Sequence, residues 1–326
     1  MQTALVTGAA GCVGSSLVFH LHDKGVRVRT LTRPGSNLGA LGDIPVEAHR
    51  GDICDAALLR EAARGCDVVF HTAAVVTFAR SAREEQHRVN VLGTRAVVRA
   101  CIECGVGALV HTSSVTTIGT PAPGQEADES LTADRACARG YKLSKLLAED
   151  EVQEGVAAGL RAVIVNPSVI MGERDTHFHA GQLVRDIRKG RIPFYVEGGM
   201  NIVYVGDVAG GMIAAAERGR TGERYILAGE NMTHREIFRR TASLVGGMAP
   251  FARFPLPLLR AVGAIVEGAC AIAGTEPPLT RDLAAIAGRY HWFSADRARR
   301  ELGFTATPFD ETILATYHWY AAHGYL

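Results

Sequence analysis

The sequence predicts an α/β fold: a doubly wound parallel sheet of the Rossmann kind, with a smaller, mainly helical C-terminal substrate lobe. Three observations predict it. Short β-type runs alternate with helical patterns through the first half of the chain, the behaviour of a parallel sheet covered on both faces. A glycine turn, Thr7-Gly8-Ala9-Ala10-Gly11-Cys12-Val13-Gly14, follows the apolar run Ala4-Leu5-Val6, where a strand passes into a helix. Beyond Asn166-Pro167 the alternation breaks up.

In order, strands are predicted at 4–7, 27–31, 46–50, 67–71, 108–112 and 162–165, with helices at 13–23, 56–64, 84–104 and 134–158 between them. Later helices are expected at 179–189, 207–218, 234–245, 295–302 and 308–322, with a strand at 224–227. Residues 1–165, with 201–230 returning to them, form the expected dinucleotide domain; 166–200 and 231–326 form the substrate lobe. Pro121-Ala122-Pro123-Gly124 marks a loop after the fifth strand.

Composition narrows the function classes. The chain has 326 residues, 47% hydrophobic and 21% charged, which fits a globular protein of about two lobes. With 35 basic against 34 acidic residues and no basic stripe, nothing points to nucleic acid. Seven cysteines lack a disulfide framework, and the N-terminus enters a strand without an export signal, so a cytoplasmic protein is expected. Cys101-x-x-Cys104 has no second pair and falls in a helical pattern, which suits small packing residues better than a metal site. The apolar segment 254–274 is interrupted by Pro255, Pro257, Arg260 and Glu267. That argues against an integral membrane span and for a buried or lid helix, with surface attachment to a membrane as the alternative.

Each glycine of the turn removes an obstruction. Gly8 permits the tight turn, while Gly11 and Gly14 let backbone approach a pyrophosphate and helix pack on strand. The N–H groups at the helix start then meet the phosphates. At the end of the second strand, Leu31-Thr32-Arg33 lacks the carboxylate that a ribose-binding NAD site places there. Arg33 can fork onto a 2′-phosphate instead, which favours NADP, with NAD as the alternative. Asp52, in Gly51-Asp52-Ile53, stands at the third strand's C-terminal end, either reading the adenine amino group or closing an Asx turn. Thr72-Ala73-Ala74 ends the fourth strand with side chains small enough to admit an adenosine.

The sequence Gly140-Tyr141-Lys142-Leu143-Ser144-Lys145 places Tyr141 and Lys145 one helical turn apart on one face. A phenol with a reference pKa of about 10 donates a proton readily, and a nearby ammonium favours its phenolate. With the dinucleotide turn, this pair points to hydride transfer between a nicotinamide and a carbonyl or alcohol.

These motifs resemble the extended short-chain dehydrogenase/reductase superfamily, whose patterns are Thr-Gly-x-x-Gly-x-x-Gly and Tyr-x-x-x-Lys. The resemblance spans nearly the whole chain and includes Asn90 in Val89-Asn90-Val91-Leu92-Gly93-Thr94, Ser113-Ser114, Asn166-Pro167-Ser168 and Tyr204-Val205-Gly206-Asp207. Within the superfamily it is most similar to the dihydroflavonol-reductase-like branch and a hopanoid-associated, epimerase-like group. The resemblance implies Ser114 as the catalytic serine, with Ser113 the less favoured neighbour, Tyr141 as acid/base and Lys145 as its partner. It implies a cofactor held by Gly8, Gly11, Cys12, Val13, Gly14, Arg33, Asp52, Ile53, Thr72, Ala73, Ala74, Asn90, Thr112, Tyr141, Lys145, Pro167 and Ser168, and no metal. A homodimer is also in keeping with it.

Departures from the family pattern narrow the chemistry. Members that dehydrate nucleotide sugars carry an Asp-Glu pair after the active Ser or Thr, whereas Ser114 is followed by Val115-Thr116. Nucleotide-sugar epimerases place a pyrophosphate-binding Arg where this chain has Met200. Arg185, Arg188, Lys189 and Arg191 are the alternative anchors, and a solvated helix face is their simpler reading. His177 and His179 flank the expected substrate entrance as loop residues. The expected activity is therefore NADPH-dependent reduction of an uncharged, hydrophobic carbonyl. Sugar epimerisation and a non-catalytic NADP sensor are the alternatives.

Overall fold

The computed structural model describes residues 1–122, 124–176, 181–273, 275–277 and 279–326. His177, His179 and Pro123 lie outside the described residues. The first half runs β1 (Thr3–Thr7), α1 (Cys12–Asp23), β2 (Arg27–Thr32), β3 (Glu47–Arg50), α2 (Ala56–Ala63), β4 (Val68–His71), α3 (Arg83–Gln86), α4 (Gly93–Glu103), β5 (Ala108–Thr112), α5 (Gly140–Ala157) and β6 (Ala162–Pro167). The second half runs β7 (Val169–Met171), α6 (Gln182–Arg188), β8 (Phe194–Tyr195), β9 (Gly199–Tyr204), α7 (Val205–Arg218), β10 (Arg224–Leu227), β11 (Glu230–Thr233), α8 (His234–Val245), β12 (Ala252–Arg253), α9 (Leu256–Ala273), α10 (Arg281–Ala287), β13 (Tyr290–His291), α11 (Asp296–Leu302) and α12 (Phe309–Ala322).

Seven strands form one parallel sheet in the order β10-β6-β5-β4-β1-β2-β3. The chain winds outward from β1 through β2 and β3, then restarts at β4 and winds the other way. The crevice at the C-terminal ends of β1 and β4 is thus the switch point where ligands of such sheets bind. Alternate strand residues feed opposite cores, as the period of 2 requires. Val6, Phe70, Val110 and Val165 pack with Leu17 of α1 and Met212 of α7; Leu5, Val69, Leu109 and Ile164 pack with Leu59, Val97 and Val152 of α2, α4 and α5. A third core joins α6, α8 and α12 through Ile187, Ile237 and Ile313.

The second lobe also carries short strands that periodicity cannot reveal. β11, β9 and β13 form a small sheet extended by β7, and β12 pairs with β8. α7 and β10 return to the large domain, whereas β9 belongs to the small sheet.

Three helical readings need correction. The helix expected from 134 begins only at Gly140: Asp134 accepts the Ala136 N–H, Arg139 is extended, and Gly140 has φ 52°. Short acidic side chains compete in this way with helical bonding. The helix expected at 84–104 contains a π-turn at His87–Leu92. The helix in 254–274 is neither a core helix nor buried: of Leu256–Ala273 only Gly263 is buried, and by length and composition the segment is apolar enough to span a membrane.

Candidate active site

The glycine turn joins β1 to α1 at the switch point. Gly8 has φ +74°, and a Cβ there would lie 2.7 Å from the Ala73 backbone; at Gly14 a Cβ would lie 2.3 Å from the Gly8 carbonyl. No side chain caps α1 and no acidic residue lies in its first turn. The N–H groups of Cys12, Val13 and Gly14 thus open a helix whose dipole favours an anion. This close-packed cradle fits the diphosphate of a dinucleotide.

The neighbouring residues brace the turn or stand free. The Thr72 hydroxyl donates to the Thr7 carbonyl (2.7 Å), and the Ala73 N–H reaches the Thr7 hydroxyl (3.4 Å). Ala74 is half-buried, Ile53 is buried against Gly93, and the Cys12 thiol donates to the Glu173 carbonyl. Arg33 is exposed; its carbonyl accepts the Ser36 N–H, and among the described residues no hydrogen bond or ion pair engages its guanidinium. Asp52 takes the Asx-turn arrangement, accepting the Cys54 N–H at 2.8 Å and pairing with Arg88 at 2.7 Å. The Cys54 amide first, and Arg88 with it, hold its carboxyl below the usual range.

Ser114 and Tyr141 meet at the C-terminal end of β5. The Ser114 side chain lies where it favours the Tyr141 phenolate, and its Oγ accepts the Thr116 N–H at 3.2 Å. Tyr141 is buried, with its ring edge-on to Phe78 at 6.1 Å. Burial raises its phenol to about 12, with the Ser114 side chain opposing. Withdrawal from water, rather than the expected depression by Lys145, governs this phenol. Lys145 is buried and donates to the Thr112 carbonyl at 2.7 Å. Burial lowers its ammonium to about 8, with Glu149 acting to raise it.

Glu149, absent from the sequence reading, holds the site's frame. It stands one turn beyond Lys145 on the same face of α5, so the i, i+4, i+8 stripe Tyr141-Lys145-Glu149 was its available signal. Its buried carboxylate accepts from the hydroxyls of Ser113 (2.5 Å) and Thr117 (2.8 Å) and from Asn166 Nδ2 (2.9 Å). Asn166 also donates to the Ser114 carbonyl at 3.1 Å. Ser113 therefore anchors Glu149 while its neighbour faces Tyr141.

Asn90, Pro167 and Ser168 likewise have defined places. The π-turn directs Asn90 inward, where it accepts the Val75 N–H (2.7 Å) and donates to Ser144 Oγ (2.9 Å). These bonds tie the loop after β4 to the Tyr141 helix. Pro167 ends β6 opposite Leu227, and the Ser168 hydroxyl donates to Asn201 Oδ1 at 2.6 Å. Beneath Lys145 lie two buried imidazoles on paired strands, His71 and His111, with ring centroids 5.3 Å apart. His71 bonds Thr7 and Thr94, whereas neither His111 nitrogen finds a partner among the described residues. Burial first, then the Lys145 charge, holds both rings neutral.

The model of the NAD dependent epimerase/dehydratase family matches residues 4–228. A putative dihydroflavonol 4-reductase of Synechocystis sp. is 34% identical, over 98% of this chain and 95% of the relative. A 4-hydroxy-2-methyl-3-oxo-4-farnesyl-3,4-dihydroquinoline-1-oxide ketoreductase of Stigmatella aurantiaca is 33% identical, over 92% and 90%. The crystal structure of gox2253 superposes with a TM-score of 0.90 at 36% identity, covering 100% of both chains.

Proposed function

The chain belongs to the NAD-dependent epimerase/dehydratase family and is an NAD(P)-dependent oxidoreductase of the extended short-chain dehydrogenase/reductase type; on that premise we propose that it is an NADPH-dependent reductase of hydrophobic carbonyls. The observation that carries this reading is the buried Tyr141 hydroxyl beside the half-buried Ser114 at the end of β5, with the buried Lys145 ammonium on the same helix face.

Bound nicotinamide supplies the hydride. The Ser114 hydroxyl holds the substrate oxygen, and the Tyr141 hydroxyl gives it a proton as negative charge develops there. A phenol at about 12 is protonated at neutral pH, the form that reduction uses. Lys145, with its amine at the Thr112 carbonyl, supplies positive charge beside the cradle and orients the ribose side of the site. The Phe78 ring shields the Tyr141 ring from water.

Two observations favour reduction over sugar epimerisation. Met200 packs in β9 opposite Met232, an apolar setting where an epimerase holds its guanidinium. Three of the four alternative anchors have local tasks: Arg185 and Arg191 lie 3.7 Å from Asp186, and Arg188 donates to the Gly246 carbonyl. The ketoreductase relative's name describes a farnesylated ring ketone, in keeping with a greasy substrate. The test is NADPH consumption against a panel of cyclic and long-chain ketones beside UDP-sugars. Sugar interconversion without NADPH consumption, and no turnover of any ketone, would replace this reading with epimerisation.

Cofactor choice is tested at Arg33. Arg33→Ala should weaken NADPH binding by about 10- to 100-fold, the worth of one charge-assisted contact, and change NADH binding by less than about twofold. Equal NADPH titrations for the two proteins would remove the 2′-phosphate assignment.

Lys145 predicts a pH dependence. Its ammonium is charged below about 8, so kcat/KM for reduction should fall as pH rises through that value. An unfolded lysine keeps its proton to 10.5, so between about 8 and 10.5 the unfolded chain binds more protons, and this group's contribution to stability rises with pH. A kcat/KM profile flat to about pH 10 would exclude Lys145 as the titrating group.

A further inference from the structure

The outer face of α9 is inverted relative to a surface helix. Leu258, Val262, Ile265 and Ile272, at i, i+4, i+7 and i+14, form one stripe that faces outward and is 51%, 36%, 71% and 91% exposed. The two charged residues, Arg260 and Glu267, lie on the other side of the helix, and Glu267 pairs with Arg80. At the helix's N-terminal end the apolar surface continues through Phe254 to Phe194 and Phe251, whose rings lie 5.7 and 5.2 Å apart in successive pairs; Phe251 is 75% exposed. Beyond its C-terminal end Glu276 accepts the N–H groups of Arg80 and Ser81. That contact pins the loop carrying the exposed Phe78, whose ring abuts Tyr141. An apolar surface therefore runs from Phe251 along α9, and polar contacts at the far end of the helix tie it to the Phe78 loop at the edge of the reaction centre.

We infer that this face docks onto an anionic phospholipid bilayer, with α9 lying in the plane of the headgroup boundary and the Phe78 mouth turned toward the lipid. Charge selects this occupant. Arg235, Arg239 and Arg253 line a recess with Phe251; Arg253 pairs with Glu197, and among the described residues Arg235 and Arg239 have no carboxylate partner. Guanidinium groups bordering exposed aromatic and aliphatic side chains match lipid phosphates above acyl chains. An isologous dimer through the same face would gather these arginines of both copies into one interface. The inference deepens the proposed reductase, because a hydrophobic carbonyl partitions into the bilayer and reaches Tyr141 past Phe78; the docking itself is independent of turnover.

The test is flotation of the full-length protein with vesicles of phosphatidylcholine containing phosphatidylglycerol, with phosphatidylcholine alone, and without lipid, no substrate being present. Wild type should float with the anionic vesicles. Ile265→Asp/Ile272→Asp should lower that partition by about tenfold or more, since each side chain loses its burial in lipid. Arg235→Ser/Arg239→Ser should lower it on anionic vesicles only. Both variants change exposed side chains and should retain wild-type circular dichroism and wild-type turnover of a short, water-soluble ketone. Wild type that never floats, or whose flotation the Ile variant does not change, overturns the inference. So does sedimentation showing a dimer that the Ile variant dissolves, with no vesicle binding. Loss of turnover with every ketone while flotation persists would instead sink the reductase reading and leave the docking intact.

Discussion

Tyr141→Phe is expected to lower the rate of carbonyl reduction by about 10³-fold while leaving NADPH affinity within about threefold, a loss in kcat rather than in cofactor binding. The substitution removes one oxygen. The ring is buried and edge-on to Phe78, and the substitution keeps the whole ring, so its packing persists. What disappears is the proton donor beside the Ser114 side chain. Positioned proton transfer contributes roughly 10²- to 10⁴-fold, which sets the scale. Single-turnover reduction beside an NADPH titration separates the two quantities. A variant keeping more than about a tenth of wild-type turnover would mean that the proton comes from elsewhere.

Gly14→Ala is expected to weaken NADPH binding by about 10²-fold and to lower stability by about 1–3 kcal/mol. The added methyl would sit 2.3 Å from the Gly8 carbonyl and 2.8 Å from the Ala9 Cα. Both are backbone atoms, so the turn itself must shift and the helix start moves away from where the diphosphate would sit. Gly210→Ala, in α7, is the control: nothing lies within 4 Å of its added Cβ. In a helix that change should stabilise by about 0.4–1 kcal/mol and leave binding unchanged. Urea denaturation and NADPH titration of both variants provide the comparison. Wild-type binding by Gly14→Ala would disconnect the turn from the cofactor.

Much of the site could be read along the chain because its signals are local. The turn from Thr7 to Gly14 needs only neighbouring residues to declare a strand passing into a helix, and it does join β1 to α1. Tyr141 and Lys145 share a helix face through spacing alone. The parallel strands lie within one or two residues of their expected bounds; β1, β4, β5 and β6 are legible because a strand buried on both faces is a nearly continuous apolar run. α5 starts later than apolar periodicity predicts because Asp134 diverts local backbone bonding, which that periodicity does not register.

The resemblance implies Ser114 rather than its neighbour Ser113, and in three dimensions the two side chains separate. Successive side chains of an extended backbone point apart, so Ser113 bonds Glu149 while Ser114 meets Tyr141. The frame around them joins Glu149 to Thr117, 32 positions earlier, and to Asn166, 17 later, and no local pattern announces such a pairing. The same holds for α9. Its apolar composition is plain in the letters, but a hydrophobic helix is buried or exposed according to what packs over it, and that depends on elements distant in sequence. Local chemistry thus specifies the glycine turn between β1 and α1 and the Tyr–Lys spacing on α5. Long-range packing selects Ser114 as the partner of Tyr141, sets the environments of the phenol and the ammonium, and leaves the stripe of α9 facing outward.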